Sequence, residues 1–196
     1  MEATSEVQLG KLKEAREHLE RSTVQEGQGA WLDWKWAMLR HFAEVELALR
    51  SGDLRLAREC CHTLLASTES CADHTWKALA WETAARVALA EKDASAAADS
   101  IQKALRTMEG YQVPLAHWRV HKTAMQVFPN KREEHRKLAW KTVQELAASL
   151  GNYPELKQIF LSSPQIAQLE PEVSHAPQAG SSDDRGLKSG SPTFAP

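Results

Sequence analysis

Candidate turns recur along the chain at a nearly constant spacing, and this repeat limits the possible folds more than any other feature. Gly10, Gly52, Lys92 and Asn130 share one frame, with successive steps of 42, 40 and 38 residues. A period near 40 residues that holds two helices per unit is typical of helical-repeat proteins. Each hairpin in such a protein buries its apolar surface mainly against its neighbours. The sequence therefore predicts a stack of about three and a half helical hairpins.

Small residues follow the first three turns at the same distance. Ala15, Ala57 and Ala97 each lie five residues after the turn, and only the fourth unit has a bulky residue, His135. A small side chain at a helix contact lets the two helix axes approach closely. Four residues further on, the frame carries the apolar or small residues Leu19, Cys61, Ile101 and Ala139.

Apolar residues between the turns recur with the period of an α-helix. Ala94, Ala97, Ala98 and Ile101 share one helix face, and no stretch shows the sustained alternation of a β-strand. We predict an all-α fold with helices at 5–24, 31–50, 54–68, 74–91, 94–109, 114–128, 132–150 and 154–162.

Composition changes abruptly near residue 170. The stretch 170–196 is rich in proline, glycine and serine and has few apolar residues. Such a segment buries too little apolar surface to offset the entropy of ordering. We predict a helical-repeat domain over 1–169 and a disordered tail over 170–196.

Charge and cysteine content restrict the partners and the compartment. The net charge is −2, so no bulk field draws the chain to nucleic acid or to an anionic membrane. The apolar runs are far shorter than the roughly 18 residues that span a bilayer, and Met1–Glu2–Ala3 does not begin a secretory signal. Three cysteines, two of them adjacent, favour free thiols. These features predict a cytoplasmic protein.

The turn glycine followed by a small residue resembles the tetratricopeptide repeat, as in Gly10/Ala15 and Gly52/Ala57. The length of the unit is similar to that of the MalT-like helical regions of bacterial signalling proteins, over roughly residues 9 to 166. This resemblance implies a right-handed α-solenoid whose first helices line a concave groove. In that frame the groove residues are Phe42, Glu46, Glu82, Arg86, His117 and His121.

The first hairpin is incomplete in this frame, because only nine residues precede Gly10. An uncapped repeat exposes the surface meant for its neighbour. We therefore expect either a fragment of a longer protein or self-association through the N-terminal end. Trp31, Trp34 and Trp36 are the candidate interface residues, since tryptophan is enriched in interface hot spots.

Motifs that carry chemistry are weak or missing. His117 and His121 have the i, i+4 spacing of zinc ligands, but Trp118 replaces the expected glutamate and no third ligand is evident. The sequence contains no phosphate-binding loop and no nucleophile elbow. Lysine and arginine cluster at 131–141, but the interleaved Glu133 and Glu134 favour a solvated helix face over nucleic-acid binding. We predict no metal, no cofactor and no catalysis.

Protein–protein interaction is the function that these features favour, as a scaffold or as the sensor arm of a cytoplasmic signalling protein. One alternative is a superhelix that binds a small effector and regulates an attached ATPase or cyclase module. Another is an enzyme with an unrecognised site. A pocket with converging polar groups would favour the effector, and a buried ionisable cluster with strongly shifted pKa values would favour the enzyme.

Overall fold

The computed structural model describes residues 2–23 and 33–171. These residues contain ten α-helices, one short 3-10 turn and no β-strand, which confirms the all-α class. The helices are α1 (Glu2–Gln8), α2 (Leu12–Thr23), α3 (Asp33–Ser51), α4 (Leu54–Glu69), α5 (His74–Ala90), α6 (Ala94–Met108), α7 (Pro114–Val127), α8 (Arg132–Ser149), α9 (Pro154–Ser162) and α10 (Pro164–Ala167). The tail predicted to be disordered lies, beyond Pro171, outside the described residues.

The helix boundaries agree closely with prediction from α3 to α9. The prediction of one helix over 5–24 was wrong, because the chain ends α1 at Gln8 and begins α2 at Leu12. Gly10 has φ 77° in this break, a left-handed conformation that interrupts a helix. Helix α10 was not predicted, and its four residues are too few to show a helical period.

Three turns have the same conformation and the same hydrogen bonds. Gly10, Gly52 and Lys92 have φ values of 77°, 76° and 64°. After each of them, the next residue donates its N–H to a carbonyl five residues earlier, as Asp53 does to Ala48. This is the Schellman arrangement that ends helices. The fourth turn differs, since Asn130 lies in a 3-10 turn at Pro129–Lys131.

Aspartate starts the helices that follow two of these turns. The carboxylate of Asp53 accepts a hydrogen bond from the backbone N–H of Leu56 at 3.0 Å, and Asp93 accepts one from Ala96 at 2.9 Å. Each therefore satisfies a backbone donor that the first turn of a helix leaves unpaired.

Helices pair as hairpins in chain order, α1 with α2, α3 with α4, α5 with α6 and α7 with α8. Helices α1, α3, α5 and α7 also contact one another in succession, so they form a continuous layer. Ala15, Ala57 and Ala97 are completely buried. They lie at the contacts where the sequence repeat requires small residues.

The left-handed turn at Lys92 gives the first testable prediction. A residue with a Cβ atom loses roughly 1–2 kcal/mol in this conformation, whereas glycine adopts it readily. We expect Lys92→Gly to raise the free energy of unfolding by about 1 kcal/mol in urea titrations. Lys92→Ala removes the same exposed side chain but keeps Cβ, so it should leave the stability nearly unchanged. Equal stability of the two variants would contradict this explanation.

Candidate functional site

An open cleft of about 410 Å³ lies between helices α3, α5, α7 and α10. We call it the central cleft. Its lining is mainly charged and polar, with two aromatic side chains: Phe42, Glu46, Arg50, Glu82, Arg86, Trp118, Arg119, Lys122, Thr123, Gln126, Pro164, Gln165 and Gln168. The volume falls within the range of about 300–1,000 Å³ that is common for ligand sites.

The first helices of three successive hairpins each contribute a stripe with i, i+4 spacing. Such residues lie one above the other on a helix face. The stripes are Phe42, Glu46 and Arg50 on α3, Glu82 and Arg86 on α5, and Trp118, Lys122 and Gln126 on α7. The continuous layer formed by these helices therefore brings together side chains that are about 40 residues apart in sequence.

Helix α10 supplies the end wall of the central cleft through Pro164, Gln165 and Gln168. It is held by Ile166 and Leu169, which are 2% and 0% exposed and pack in one apolar cluster with Trp118. The wall is therefore anchored to α7 and α8 by buried apolar contacts and does not depend on the polar groups of the cleft.

A network of buried and partly buried charges joins the α3 and α5 stripes. Arg86 Nη1 donates to Glu46 Oε2 at 2.6 Å, and Arg86 Nε lies 3.1 Å from Glu82 Oε1. Thr123 Oγ1 on α7 donates to the same Glu82 oxygen at 2.7 Å. Glu82 is only 2% exposed, so its charge depends on these neighbours and not on water.

The network also fixes the ionisation of its members. Burial raises the pKa of Glu46, but the attraction and hydrogen bond of Arg86, with Arg119 and Arg50 nearby, outweigh burial and hold that pKa below its usual range. Burial lowers the pKa of Arg86, yet Glu82 and Glu46 outweigh it and raise that pKa further. Both groups are therefore charged at neutral pH.

Two cations on α7 have weaker contacts with the carboxylates of the cleft than Arg86 has. Arg119 Nη2 lies 3.8 Å from Glu82 Oε2, beyond hydrogen-bond distance. Lys122 forms no hydrogen bond or ion pair with any residue in the described part of the chain. Burial lowers the pKa of Lys122; Glu82 opposes this effect, and Arg119 and Arg86 reinforce it. The cleft lining has four cations and two carboxylates, whereas the whole chain has a net charge of −2.

The structure brings together four of the six residues predicted for the groove. Phe42, Glu46, Glu82 and Arg86 line the central cleft, but His117 and His121 do not. Both histidines lie on the side of α7 that faces α8, where His117 is hydrogen-bonded to Thr142. Of the six residues, the central cleft therefore brings together only the four on α3 and α5.

His117, His121 and His135 form a histidine cluster between α7 and α8. His121 Nδ1 lies 2.9 Å from His135 Nδ1, and the His117 and His121 rings are 4.4 Å apart. Burial lowers the pKa of all three, and for His121 burial with its two histidine neighbours lowers the pKa to about 3. One Nδ1 must therefore carry a proton and donate to the other, with both rings neutral.

The histidine pair occupies positions that hold small buried residues in two earlier hairpins. His121 and His135 are 14 residues apart, and the same separation relates the buried pairs Ala43/Ala57 and Thr83/Ala97. The bulky residue at 135 is thus accommodated together with a second histidine on the facing helix. The cluster does not line the central cleft, and His121 is 6% exposed. A substrate in the cleft would not reach it.

The predicted N-terminal interface lies largely outside the described side chains. Trp31 is not among the described residues, and for Trp34 only the backbone, within α3, is described. Trp36 is 54% exposed, so its ring is available for contact. Within the part of the chain that the structure describes, no group of three or more histidine, cysteine or acidic residues is placed to hold a metal ion.

Sequence reasoning missed the α7 and α10 portions of the central cleft. The sequence did contain a signal for part of it, because Glu46 and Arg86 are 40 residues apart and the same step leads to Gln126. Likewise, 40 residues separate Phe42 from Glu82 and Glu82 from Lys122. No such 40-residue step leads to Gln165 or Gln168, and the short helix α10 alone brings them to the cleft.

Comparisons with family models, with curated proteins and with solved structures found no match to this chain. No helix among the described residues has the length and apolar character needed to cross a membrane. The chemistry of the central cleft is therefore the basis on which a function can be proposed.

Proposed function

We propose that this chain is a non-catalytic protein-binding domain and that the central cleft receives a segment of its partner. The observation that carries the proposal is the convergence of charged and polar side chains from three successive hairpins on one open cleft. The ion-paired network of Glu46, Arg86 and Glu82 links α3 to α5 and so preforms this part of the cleft. A cleft whose side chains are already held in place loses less entropy when a ligand binds.

The recurrent left-handed turns and the continuous layer of α1, α3, α5 and α7 support a finer architectural proposal. In it, the hairpins form a right-handed solenoid of the tetratricopeptide kind, similar to MalT-like regions. The biological role would be that of a scaffold or sensor arm in a cytoplasmic signalling protein. The exposed Trp36 supports a second contact surface near the N-terminal end.

A small effector is the second candidate ligand. The volume of about 410 Å³ and the convergent polar groups suit an effector as well as a peptide. In this alternative, the central cleft would bind a metabolite and regulate an attached ATPase or cyclase module. The two proposals differ in the size of the ligand that the cleft retains.

Affinity capture with a charge-reversed cleft tests the protein-binding function. The immobilised chain is exposed to an extract of its source organism, and retained proteins are quantified by mass spectrometry. We expect a specific protein to be retained by the wild type and lost with Arg119→Glu/Lys122→Glu. Lys137→Glu/Lys141→Glu makes the same charge change on exposed α8 positions outside the cleft and should retain that protein.

The captured protein is then purified and titrated against the same variants. Direct binding that depends on Arg119 and Lys122 supports a protein partner. If no retained protein distinguishes the two charge-reversed variants, the protein-binding function of the cleft is wrong. If a metabolite from the same extract is retained by the wild type, but not by the cleft variant Arg119→Glu/Lys122→Glu or by any captured protein, the small-effector alternative is favoured.

A further inference from the structure

We propose that the ligand of the central cleft is an acidic peptide segment whose aspartate or glutamate carboxylates bind Arg119 and Lys122. This inference deepens the proposed function and rests on it. It concerns the chemistry of the segment that binds, which the function alone does not define.

The cations of the central cleft fall into two groups. Two of them contact a carboxylate of the cleft closely, and the other two do not. Arg86 is committed to Glu46 and Glu82, and Arg50 Nε lies 3.4 Å from Glu46 Oε1. Arg119 has only the 3.8 Å contact with Glu82, and Lys122 has neither a hydrogen bond nor an ion pair with a described residue. Glu46 accepts a hydrogen bond from Arg86 and Glu82 accepts one from Thr123, whereas neither Arg119 nor Lys122 donates one to these carboxylates. The two cations on α7 are therefore the ones that a ligand can engage.

The position of these two cations on α7 favours a single acidic group between them. Arg119 and Lys122 are three residues apart, so their side chains are neighbours on the helix surface. Arginine supplies a planar fork of donors and lysine a compact ammonium group, and both bind carboxylates through charge-assisted hydrogen bonds. Because burial and nearby arginines already lower the pKa of Lys122, a bound carboxylate would raise that pKa again.

The neutral residues of the cleft fit a peptide backbone. Gln126 on α7 and Gln165 and Gln168 in the end wall line the central cleft and form no hydrogen bond with any residue that the structure describes. Each glutamine amide offers two donors and one acceptor, which match the C=O and N–H groups of an extended chain. Phe42 and Trp118 add aromatic surface for the apolar parts of the segment.

The same lining disfavours nucleic acid. Glu46 and Glu82 would repel a continuous row of phosphates, and the net charge of the whole chain is −2. Nucleic-acid sites instead present clustered lysine and arginine along a continuous surface. Isolated carboxylates along a peptide avoid this repulsion, because only the positions facing α7 need to be acidic.

Fluorescence anisotropy with a short synthetic peptide tests the proposal. The probe is a fluorescein-labelled peptide in which glutamate alternates with glycine, and the control peptide has glutamine in place of glutamate. We expect the glutamate peptide to bind the full chain more tightly than the glutamine peptide, with an affinity that falls as salt is added. Arg119→Gln/Lys122→Gln should weaken binding at least about tenfold.

Matched variants and competitors distinguish the possible outcomes. Lys137→Gln/Lys141→Gln removes the same charge outside the cleft and should bind like the wild type. Equal binding of the two peptides, or binding that survives Arg119→Gln/Lys122→Gln, would overturn the proposal. Competition by free glutamate or inorganic phosphate at the concentration of the peptide would do the same, and so would preferred binding of a single-stranded oligonucleotide.

Failure of this inference is separable from failure of the proposed function. If the acidic peptide does not bind but a captured protein still depends on Arg119 and Lys122, the cleft binds protein through other chemistry. If neither depends on these residues, the cleft is not the binding site.

Discussion

Arg86→Ala should lower the free energy of unfolding by about 3–5 kcal/mol, the range for removing one partner from a buried ion pair. Arg86 is the cation that contacts both Glu46 and Glu82. Its loss leaves Glu82, which is 2% exposed, with a buried charge whose one hydrogen bond comes from Thr123, while Arg119 and Lys122 act on it from a greater distance. Urea unfolding followed by circular dichroism measures the change.

Two companion variants identify the cause of that loss. Arg55→Ala breaks an i, i+4 pair with Glu59 whose side chains are 76% and 56% exposed, so its cost should stay below about 1 kcal/mol. Adding Glu82→Gln to Arg86→Ala replaces the stranded carboxylate with a neutral amide and should recover part of the stability. Similar losses for Arg86→Ala and Arg55→Ala, or no recovery with Glu82→Gln, would show that the network does not stabilise the fold.

Mild acid should destabilise the domain through the histidine cluster. The folded state holds His121 neutral with a pKa of about 3, whereas an unfolded histidine has a pKa near 6.5. Unfolding therefore takes up a proton below pH 6.5, and the stability that is complete above that pH is lost as the pH falls toward 3. Between pH 7.5 and pH 5, we expect His121 alone to lower the free energy of unfolding by about 2 kcal/mol.

Urea titrations across this pH range measure the loss of stability. His117 and His135 should add to that loss, because their pKa values are also lowered, chiefly by burial. The double variant His121→Thr/His135→Ala introduces the residues found at the equivalent positions 83 and 97 and should flatten the pH dependence. His62→Gln, at an exposed position on α4, should leave it unchanged. An identical slope in the wild type and the double variant would exclude the cluster as its source.

The sequence was sufficient for the helices where turns are marked by special residues. Gly52 with Asp53 and Pro114 at the first position of α7 each mark a boundary that the structure reproduces. Near the N-terminus two signals conflicted, because the repeat placed a turn at Gly10 while the apolar pattern ran on through it. The backbone hydrogen bonds of the turn end α1 before Gly10. The spacing of apolar residues carries no information about such hydrogen bonds.

The α7 stripe could not be found from the spacing of the turns, for a geometric reason. Helix α7 has 14 residues and α5 has 17, and the last turn is a 3-10 turn at Pro129 instead of a left-handed one. Counting back from the turns therefore pairs Glu82, ten residues before Lys92, with the fully buried Val120, ten residues before Asn130. The side-chain stripe instead keeps a step of 40 residues, which leads from Glu82 to Lys122. Contacts between neighbouring helices, and not the length of the connection, determine which face is presented.

The anchored end wall also has a consequence for synthesis on the ribosome. Helices α3, α5 and α7 emerge before α10, yet Gln165 and Gln168 belong to the cleft and Leu169 helps to cover Trp118. Domains fold progressively from the N-terminal side as they are made. The nascent chain therefore has three walls of the central cleft before it has the fourth. The proposed ligand should bind with full affinity only after Leu169 has left the exit tunnel, so folding of the hairpins would precede the proposed capture.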